Sequence, residues 1–237
     1  MKLLCFPHAG GFSPYYSFLK KAAFRNINET YVFDYPRREI TGENKNANFN
    51  RYIDSSVSYI RKKVLYNENY LLFGHSMGAF IACEAGLIMQ NTYGQPPTGV
   101  IVSGQNPPYS EKYEKGWVCP EDPCTFVEHL GGIPDFIKKD QRMLKMILRY
   151  IETDMKAIQT YDPSIPDKSE LLECGMIMRG SDDIIINPKY DSYWNRTFRK
   201  IYSETVFTGD HFYFNNVKAE VIGLIDDFAG SQKKETV

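Results

Sequence analysis

The sequence predicts an α/β fold in which a mainly parallel central sheet is flanked by helices. Strand-like apolar runs alternate with helical segments along most of the 237 residues, and this alternation is typical of parallel sheets with helices on both faces. A glycine-bracketed turn between one strand and the following helix supports the same fold. Predicted strands lie at 2–6, 30–35, 70–74, 98–103, 174–179 and 201–207, and predicted helices lie near 14–25, 49–66, 77–91, 188–197 and 216–229.

The alternation fails between residues 105 and 170. This segment opens on a Pro-rich stretch and then carries a predicted helix, Phe136 to Tyr161, with a stripe of apolar residues. The stripe fits plain core packing, but an insertion at this point would lie over the carboxyl ends of the strands, where such folds keep a lid. Since nothing resembling a linker divides the chain, we expect one domain over residues 1–237, with residues 105–170 as a helical lid insertion within it.

Residues 74–78 read Gly-His-Ser-Met-Gly and join the apolar run Tyr70–Phe73 to a predicted helix. A strand, a turn too tight for side chains at its two glycines, and a helix together form a nucleophile elbow, which is a hallmark of α/β-hydrolases. The turn exposes the serine hydroxyl and directs the first N–H groups of the helix to the same place. The context therefore predicts Ser76 as a nucleophile.

A nucleophilic serine needs a histidine base and an orienting acid, which follow it in this fold in the order acid, then histidine. His211 follows the strand-like run that ends at Phe207, whereas His129 lies in an irregular region and is expected at the surface. The acid should follow the preceding strand, where Asp182 and Asp183 are adjacent. The residues alone leave the choice between the two open, because one aspartate at such a turn is commonly a cap.

The glycine-rich loop Pro7 to Phe12 directly follows the first strand. Hydrolases of this class place one oxyanion-hole amide in such a loop and the other on the residue after the nucleophile. By position, the two amides belong to Ala9 and Met77. We expect His8 to brace the loop rather than to transfer protons.

Several of these motifs resemble those of the type II thioesterases, the free-standing editing hydrolases of nonribosomal peptide and polyketide assembly lines. The resemblance implies Ser76 as nucleophile, His211 as base and Asp183 as acid, because the family's acid stands third after the strand-ending glycine, here Gly180. Arg37 and Asp210 stand where the family usually has glycine. The matching segments are Leu4–Gly11, Tyr35–Glu39, Phe73–Ala79, Ser103–Gly104, Leu130–Pro134, the Asp154-to-Tyr161 spacing and Gly209–Phe212.

The resemblance also implies a substrate: an acyl or aminoacyl thioester on the phosphopantetheine arm of a carrier protein. That arm belongs to the substrate, so no cofactor is expected. A cytosolic esterase that uses the same triad on small esters is the alternative, and a non-catalytic binding protein is a more distant one. Lys138, Lys139, Arg142 and Lys145 are either a docking surface for an acidic carrier protein or a solvated helix face.

Composition and charge fit an ordinary globular protein. Hydrophobic residues make up 43% and charged residues 24% of the chain, and the formal net charge of −1 gives no electrostatic support for a nucleic-acid or anionic-membrane partner. No apolar run approaches the ~20 residues of a membrane span. Since the predicted strand at 2–6 directly follows the first residue, we expect no removable leader and a cytoplasmic protein.

The five cysteines are expected to be reduced thiols, since Cys5 and Cys83 lie in apolar segments. Cys119 and Cys124 lie near His129, but a structural zinc site usually has two close pairs of ligands and the sequence offers no second pair. We therefore expect no metal.

Overall fold

The computed structural model describes residues 1–36, 48–108, 122–131, 133, 135–163 and 166–233. Within this part of the chain, six strands form one sheet in the order β2-β1-β3-β4-β5-β6, and every neighbouring pair is parallel. The predicted mainly parallel α/β fold is confirmed. The strands are β1 (Lys2–Phe6), β2 (Glu29–Val32), β3 (Tyr70–His75), β4 (Gly99–Ser103), β5 (Leu172–Gly180) and β6 (Phe198–Phe207).

Helices cover both faces of this sheet. The α-helices are α1 (Ser17–Lys20), α2 (Phe49–Lys63), α3 (Met77–Tyr93), α4 (Pro123–His129), α5 (Asp135–Lys138), α6 (Gln141–Ile158) and α7 (Lys218–Lys233), and 3-10 helices lie at Ser13–Tyr16, Pro188–Arg196 and Tyr213–Asn215. One core cluster joins α2, α3 and α6 to strand residues such as Leu4 and Leu72. The other joins α1 and α7 to Leu3 and Leu71, since successive strand residues point to opposite faces.

Local sequence explains where the helices begin and end. The side chain of Asn48 accepts a hydrogen bond from Asn50 at the start of α2, and Asp140 caps α6 in the same way. Gly94 ends α3 in the left-handed conformation that glycine adopts without strain. Helix α3 is buried along most of its length because it packs between the sheet and α2.

The structure differs from the predicted elements in three places. The helix predicted from Phe136 to Tyr161 is divided into α5 and α6, because the Asp140 side chain caps the start of α6. The helix predicted near 14–25 is a 3-10 turn followed by the short α1, which ends at Lys20. Further along the chain, the backbone N–H groups of Arg25 and Asn26 donate to Asp226 of α7 and not to a helical carbonyl. The segment near 188–197 is helical but of the 3-10 type. Within residues 105–170 the structure has α4, α5 and α6, while residues 109–121, 132, 134 and 164–165 lie outside the described part, as does Arg37. The division into a core and a lid insertion stays a prediction.

Among the described residues, none of the helices combines the length and the apolar character that crossing a lipid bilayer would require.

Candidate active site

Ser76 occupies a strained turn between β3 and α3. Its backbone angles, φ 55° and ψ −121°, lie in a region that residues other than glycine rarely adopt. A Cβ atom at Gly74 would lie 2.1 Å from the carbonyl oxygen of Gly78, and one at Gly78 would lie 1.9 Å from that of Phe6. Both glycines are therefore required by close backbone approach. The turn has the geometry of a nucleophile elbow and leaves Ser76 only partly buried.

His211 and Asp183 form a buried pair at the carboxyl edge of the sheet. Nδ1 of His211 lies 2.8 Å from Oδ2 of Asp183, and the two side chains are 1% and 0% exposed. The other carboxylate oxygen of Asp183 accepts a hydrogen bond from the backbone N–H of Ile185 at 3.0 Å. Asp182 is exposed and accepts a hydrogen bond from the Ser181 hydroxyl instead. The loop after β5 thus brings Asp183, and not Asp182, to the histidine.

One cleft is lined by Ser76, His211, Ala9 and Met77 together. In the part of the chain that the structure describes, the backbone N–H groups of Ala9 and Met77 donate to no acceptor. The Met77 amide belongs to the first turn of α3, where backbone N–H groups have no partner within the helix. Two unoccupied amides beside a serine are what an oxyanion hole requires.

Three side chains hold the loop that carries Ala9. The Tyr16 hydroxyl lies 2.8 Å from Nδ1 of His8 and accepts a hydrogen bond from its backbone N–H, and the Tyr35 hydroxyl donates to the Pro7 carbonyl. On the other side, the backbone N–H of Gly10 donates to Asp154 at 2.8 Å. The His8 ring is buried among aromatic rings within this loop. These contacts fit the bracing role expected for His8.

The rest of the cleft is apolar. Among the described residues that line it, none is an aspartate, glutamate, lysine or arginine. Apart from His8, Ser76 and His211, Gln105 is the polar side chain among them. An uncharged acyl group suits this lining, because a buried charge without a partner is costly. The apolar side chains are Phe80, Phe126, Val127, Leu130, Met155, Ile158, Ile185 and Phe212.

A second buried histidine lies beside the His211–Asp183 pair. The His75 ring packs 4.8 Å from the His211 ring, centroid to centroid. Nδ1 of His75 lies 3.0 Å from the Ser103 hydroxyl oxygen, which lies 2.8 Å from that of Tyr213. Burial, with smaller contributions from His211 and His8, holds the pKa of His75 well below its ordinary value. The His75 ring is therefore neutral, and it places no positive charge beside His211.

The described residues contain no group of three or more His, Cys, Asp or Glu side chains arranged to hold a metal ion. His129 is exposed at the end of α4, and the Cys124 thiol donates to the Leu148 carbonyl at 3.6 Å. Cys119 lies outside the described residues. The described cysteines Cys5, Cys83, Cys124 and Cys174 are free thiols.

Sequence reasoning did not find roles for Asp154 and His75. Asp154 lies 144 residues from its partner Gly10, so no local pattern joins them. The Asp154-to-Tyr161 spacing, which the chain shares with the type II thioesterases it resembles, is the sequence feature that singles out Asp154. His75 stands in the variable position of the pentapeptide, where motif reasoning assigns no function.

Comparison with known proteins is consistent with this geometry. A protein-family model described as "Thioesterase domain" matches residues 1–229. The chain is 28% identical over 217 residues to a probable cadicidin biosynthesis thioesterase of Streptomyces griseus, a match that covers 90% of this chain and 58% of that protein. It is 25% identical to thioesterase PikA5 of Streptomyces venezuelae, covering 96% of this chain and 80% of the relative. The chain thus spans less than two thirds of the first relative.

Solved structures share the fold. ClbQ from the colibactin NRPS/PKS pathway superposes with a TM-score of 0.81 at 19% identity, covering 98% of each chain. YbtT, a type II thioesterase from the yersiniabactin NRPS/PKS pathway, superposes with a TM-score of 0.77 at 20% identity, covering 98% of this chain and 93% of YbtT.

Proposed function

The chain belongs to the thioesterase domain family, and on that premise we propose that it hydrolyses acyl thioesters carried by the phosphopantetheine arm of a carrier protein. The observation that carries the proposal is the convergence of Ser76, the His211–Asp183 pair and two unoccupied amides on one cleft. A thioester needs a nucleophile, a proton carrier and a place for the oxyanion, and this cleft offers all three.

The proposed reaction has two stages. In the first, Oγ of Ser76 attacks the thioester carbonyl while His211 takes the hydroxyl proton, and the amides of Ala9 and Met77 hold the oxyanion. The intermediate collapses with cleavage of the carbon–sulfur bond, and His211 returns the proton to the departing thiolate. In the second stage His211 takes a proton from water, and the hydroxide attacks the acyl-serine ester. The carbon–oxygen bond to Ser76 then breaks, His211 returns the proton to Oγ of Ser76, and the free acid leaves. Asp183 fixes the ring of His211 and stabilises its protonated form throughout.

The chemistry of the cleft supports an uncharged acyl group as cargo, since no charged side chain is available among the described lining residues to pair with an ammonium or a second carboxylate. The named roles of the relatives support a biosynthetic setting: one is a gramicidin S biosynthesis protein, 25% identical over 94% of this chain. In such a setting the enzyme would clear stalled or mis-primed acyl groups from carrier proteins.

The outer surface of α6 supports a carrier protein as partner. Arg142, Lys145 and Arg149 are exposed along one side of this helix, beside Lys138 and Lys139. We define these five residues as the basic stripe. The chain as a whole has 28 basic and 29 acidic residues, so this concentration of positive charge is local, although Lys138 forms an ion pair with Glu128 at 2.8 Å. On the opposite side, Met155 and Ile158 of the same helix line the cleft. An acidic carrier bound to the basic stripe would therefore lie on the outer side of the helix whose inner side lines the cleft.

The test compares one acyl group presented in three ways: as a carrier-protein thioester, as a small-molecule thioester and as an oxygen ester. The proposal expects the highest kcat/KM for the carrier-bound thioester. If the oxygen ester is the best substrate and the carrier gives no advantage, the chain is an esterase with the same triad, and the carrier assignment is wrong.

A further inference from the structure

Asp154 is a carboxylate buried within the protein, far from the proposed triad in sequence. Its side chain projects from α6, and the residue has no exposed surface. Oδ2 accepts a hydrogen bond from the backbone N–H of Gly10 at 2.8 Å, and Oδ1 accepts one from the Tyr52 hydroxyl at 2.8 Å. A buried carboxylate is tolerated only when donors compensate for the loss of water. Both carboxylate oxygens of Asp154 have such donors, and one of these donors belongs to the loop that carries Ala9.

Gly10 is held by α6 in a second way. Its φ angle is +80°, and a Cβ atom there would lie 2.4 Å from Cγ1 of Ile151. Ile151 lies three residues before Asp154, on the same inner side of the helix. The loop thus rests directly on α6, with Ile151 packed against the Gly10 backbone and Asp154 hydrogen-bonded to its N–H.

The direction of the Gly10 amide affects the direction of the neighbouring Ala9 amide. The backbone N–H of Gly10 points to Asp154, while the N–H of Ala9 has no acceptor among the described residues and its residue lines the cleft. The Ala9 N–H and the Gly10 N–H belong to consecutive peptide units that are joined at the Ala9 Cα, so release of the Gly10 amide would free the backbone torsions of Ala9 that set the direction of both groups. A donor in an oxyanion hole must be fixed before the reaction, since a small misplacement removes most of its effect.

We propose that Asp154 is a positioning residue for the oxyanion hole: it fixes the Gly10 amide and thereby aims the Ala9 N–H at the oxyanion. Tyr52 holds the carboxylate in place. Helix α6 then has two functions, because its Met155 and Ile158 line the cleft while its Asp154 sets the oxyanion loop. The proposal rests on the proposed function, in which Ala9 supplies one of the two amides.

Three substitutions test it with a small-molecule acyl thioester as substrate. Asp154→Ala removes both acceptors and is expected to lower kcat by about 10- to 100-fold with little change in KM. Asp154→Asn keeps an acceptor for Gly10, and its amide N–H can donate to the Tyr52 hydroxyl, so it should restore most of the activity. Tyr52→Phe removes one hydroxyl and should lower kcat less than Asp154→Ala does.

Tyr59→Phe is the matched control. Tyr59 lies on the same helix, α2, and its hydroxyl contacts the Val32 carbonyl at 3.4 Å rather than the loop. Its kcat should equal that of the unchanged protein. Each folded variant is also titrated with a trifluoromethyl ketone, whose adduct with Ser76 places an oxyanion in the hole. The proposal expects this affinity to fall in parallel with kcat, which a purely structural role would not cause.

Unchanged kcat and unchanged ketone affinity in folded Asp154→Ala would overturn the proposal. Should that variant not fold, Tyr52→Phe decides in the same way, since the proposal requires the Tyr52 hydroxyl to hold the carboxylate against Gly10: wild-type values of kcat and ketone affinity in it overturn the proposal. The proposed function fails differently. An active Ser76→Ala variant would refute the proposed triad, whereas an inactive Ser76→Ala variant together with fully active Asp154→Ala and Tyr52→Phe variants would refute only the positioning role.

Discussion

Nδ1 of His211 and Oδ2 of Asp183 are 2.8 Å apart in an environment closed to solvent. The neighbouring carboxylate of Asp182 points away and binds the Ser181 hydroxyl. The two acids are adjacent in sequence, yet only one of them can orient the histidine and stabilise its protonated form.

Asp183→Asn is therefore expected to lower kcat by about 10²- to 10⁴-fold, because the histidine loses its fixed tautomer and its counter-charge. Asp182→Asn is the matched control and should stay within about threefold of the unchanged enzyme, as exposed polar residues usually do. Steady-state hydrolysis of an acyl thioester measures both. The reverse order of effects would mean that Asp182 is the acid and that the loop after β5 has a different register.

Much of this site could be predicted from the sequence because its parts lie in local patterns. The strand that ends at His75, the tight turn at Ser76 and the buried helix behind it are encoded within one short segment. The choice of Asp183 came from resemblance, because the residues alone are symmetrical with respect to Asp182. What decides it physically is which carboxylate the loop buries beside His211.

Long-range contacts could not be predicted in this way. The helix expected near 14–25 ends at Lys20, and the amides of Arg25 and Asn26 donate to Asp226, about 200 residues away. Tyr52 and Asp154 are likewise 102 residues apart. Such pairings depend on how helices pack on the sheet, and no local periodicity carries that information.

His75 should make stability depend on pH. Its pKa in the folded protein lies well below the ordinary 6.5, mainly because of burial, with His211 and His8 nearby. The unfolded chain therefore binds a proton that the folded chain does not. Stability is greatest above pH 6.5 and falls as the pH drops below it, by up to about 1.4 kcal/mol per pH unit from this group.

Urea unfolding at pH 7.5 and pH 5.5 measures this effect, with His75→Asn as the variant and His129→Asn, at an exposed position, as the control. The loss of stability between the two pH values should be smaller in His75→Asn than in the control. An equal loss in both variants would show that His75 contributes nothing to the pH dependence.

Residues 105–170 are predicted to open more readily than the sheet. Strand β3 is buried and hydrogen-bonded to β1 and β4 on its two sides, whereas α4 is short and largely exposed on one side. Amide hydrogen exchange in α4 should therefore be faster than in β3. Equal protection in the two elements would contradict a lid that opens separately from the sheet.

The basic stripe is expected to contribute to binding of a carrier protein. The double variant Arg142→Glu/Lys145→Glu should raise KM for a carrier-bound thioester about tenfold, and the effect should weaken at high salt. It should leave hydrolysis of a small thioester unchanged. The double variant Arg61→Glu/Lys62→Glu, at two exposed positions on α2, serves as the charge-matched control. If both variants change KM equally, the stripe is a solvated helix face.

Ser76 is the proposed nucleophile, and its substitution by alanine is the most direct test of the proposed reaction. Alanine fits the same strained turn, since only the hydroxyl is removed, so the unfolding midpoint should not change. The account predicts that kcat for an acyl thioester falls by about three orders of magnitude or more in Ser76→Ala. A folded Ser76→Ala variant that hydrolyses the thioester at a rate within about tenfold of the unchanged enzyme would contradict it.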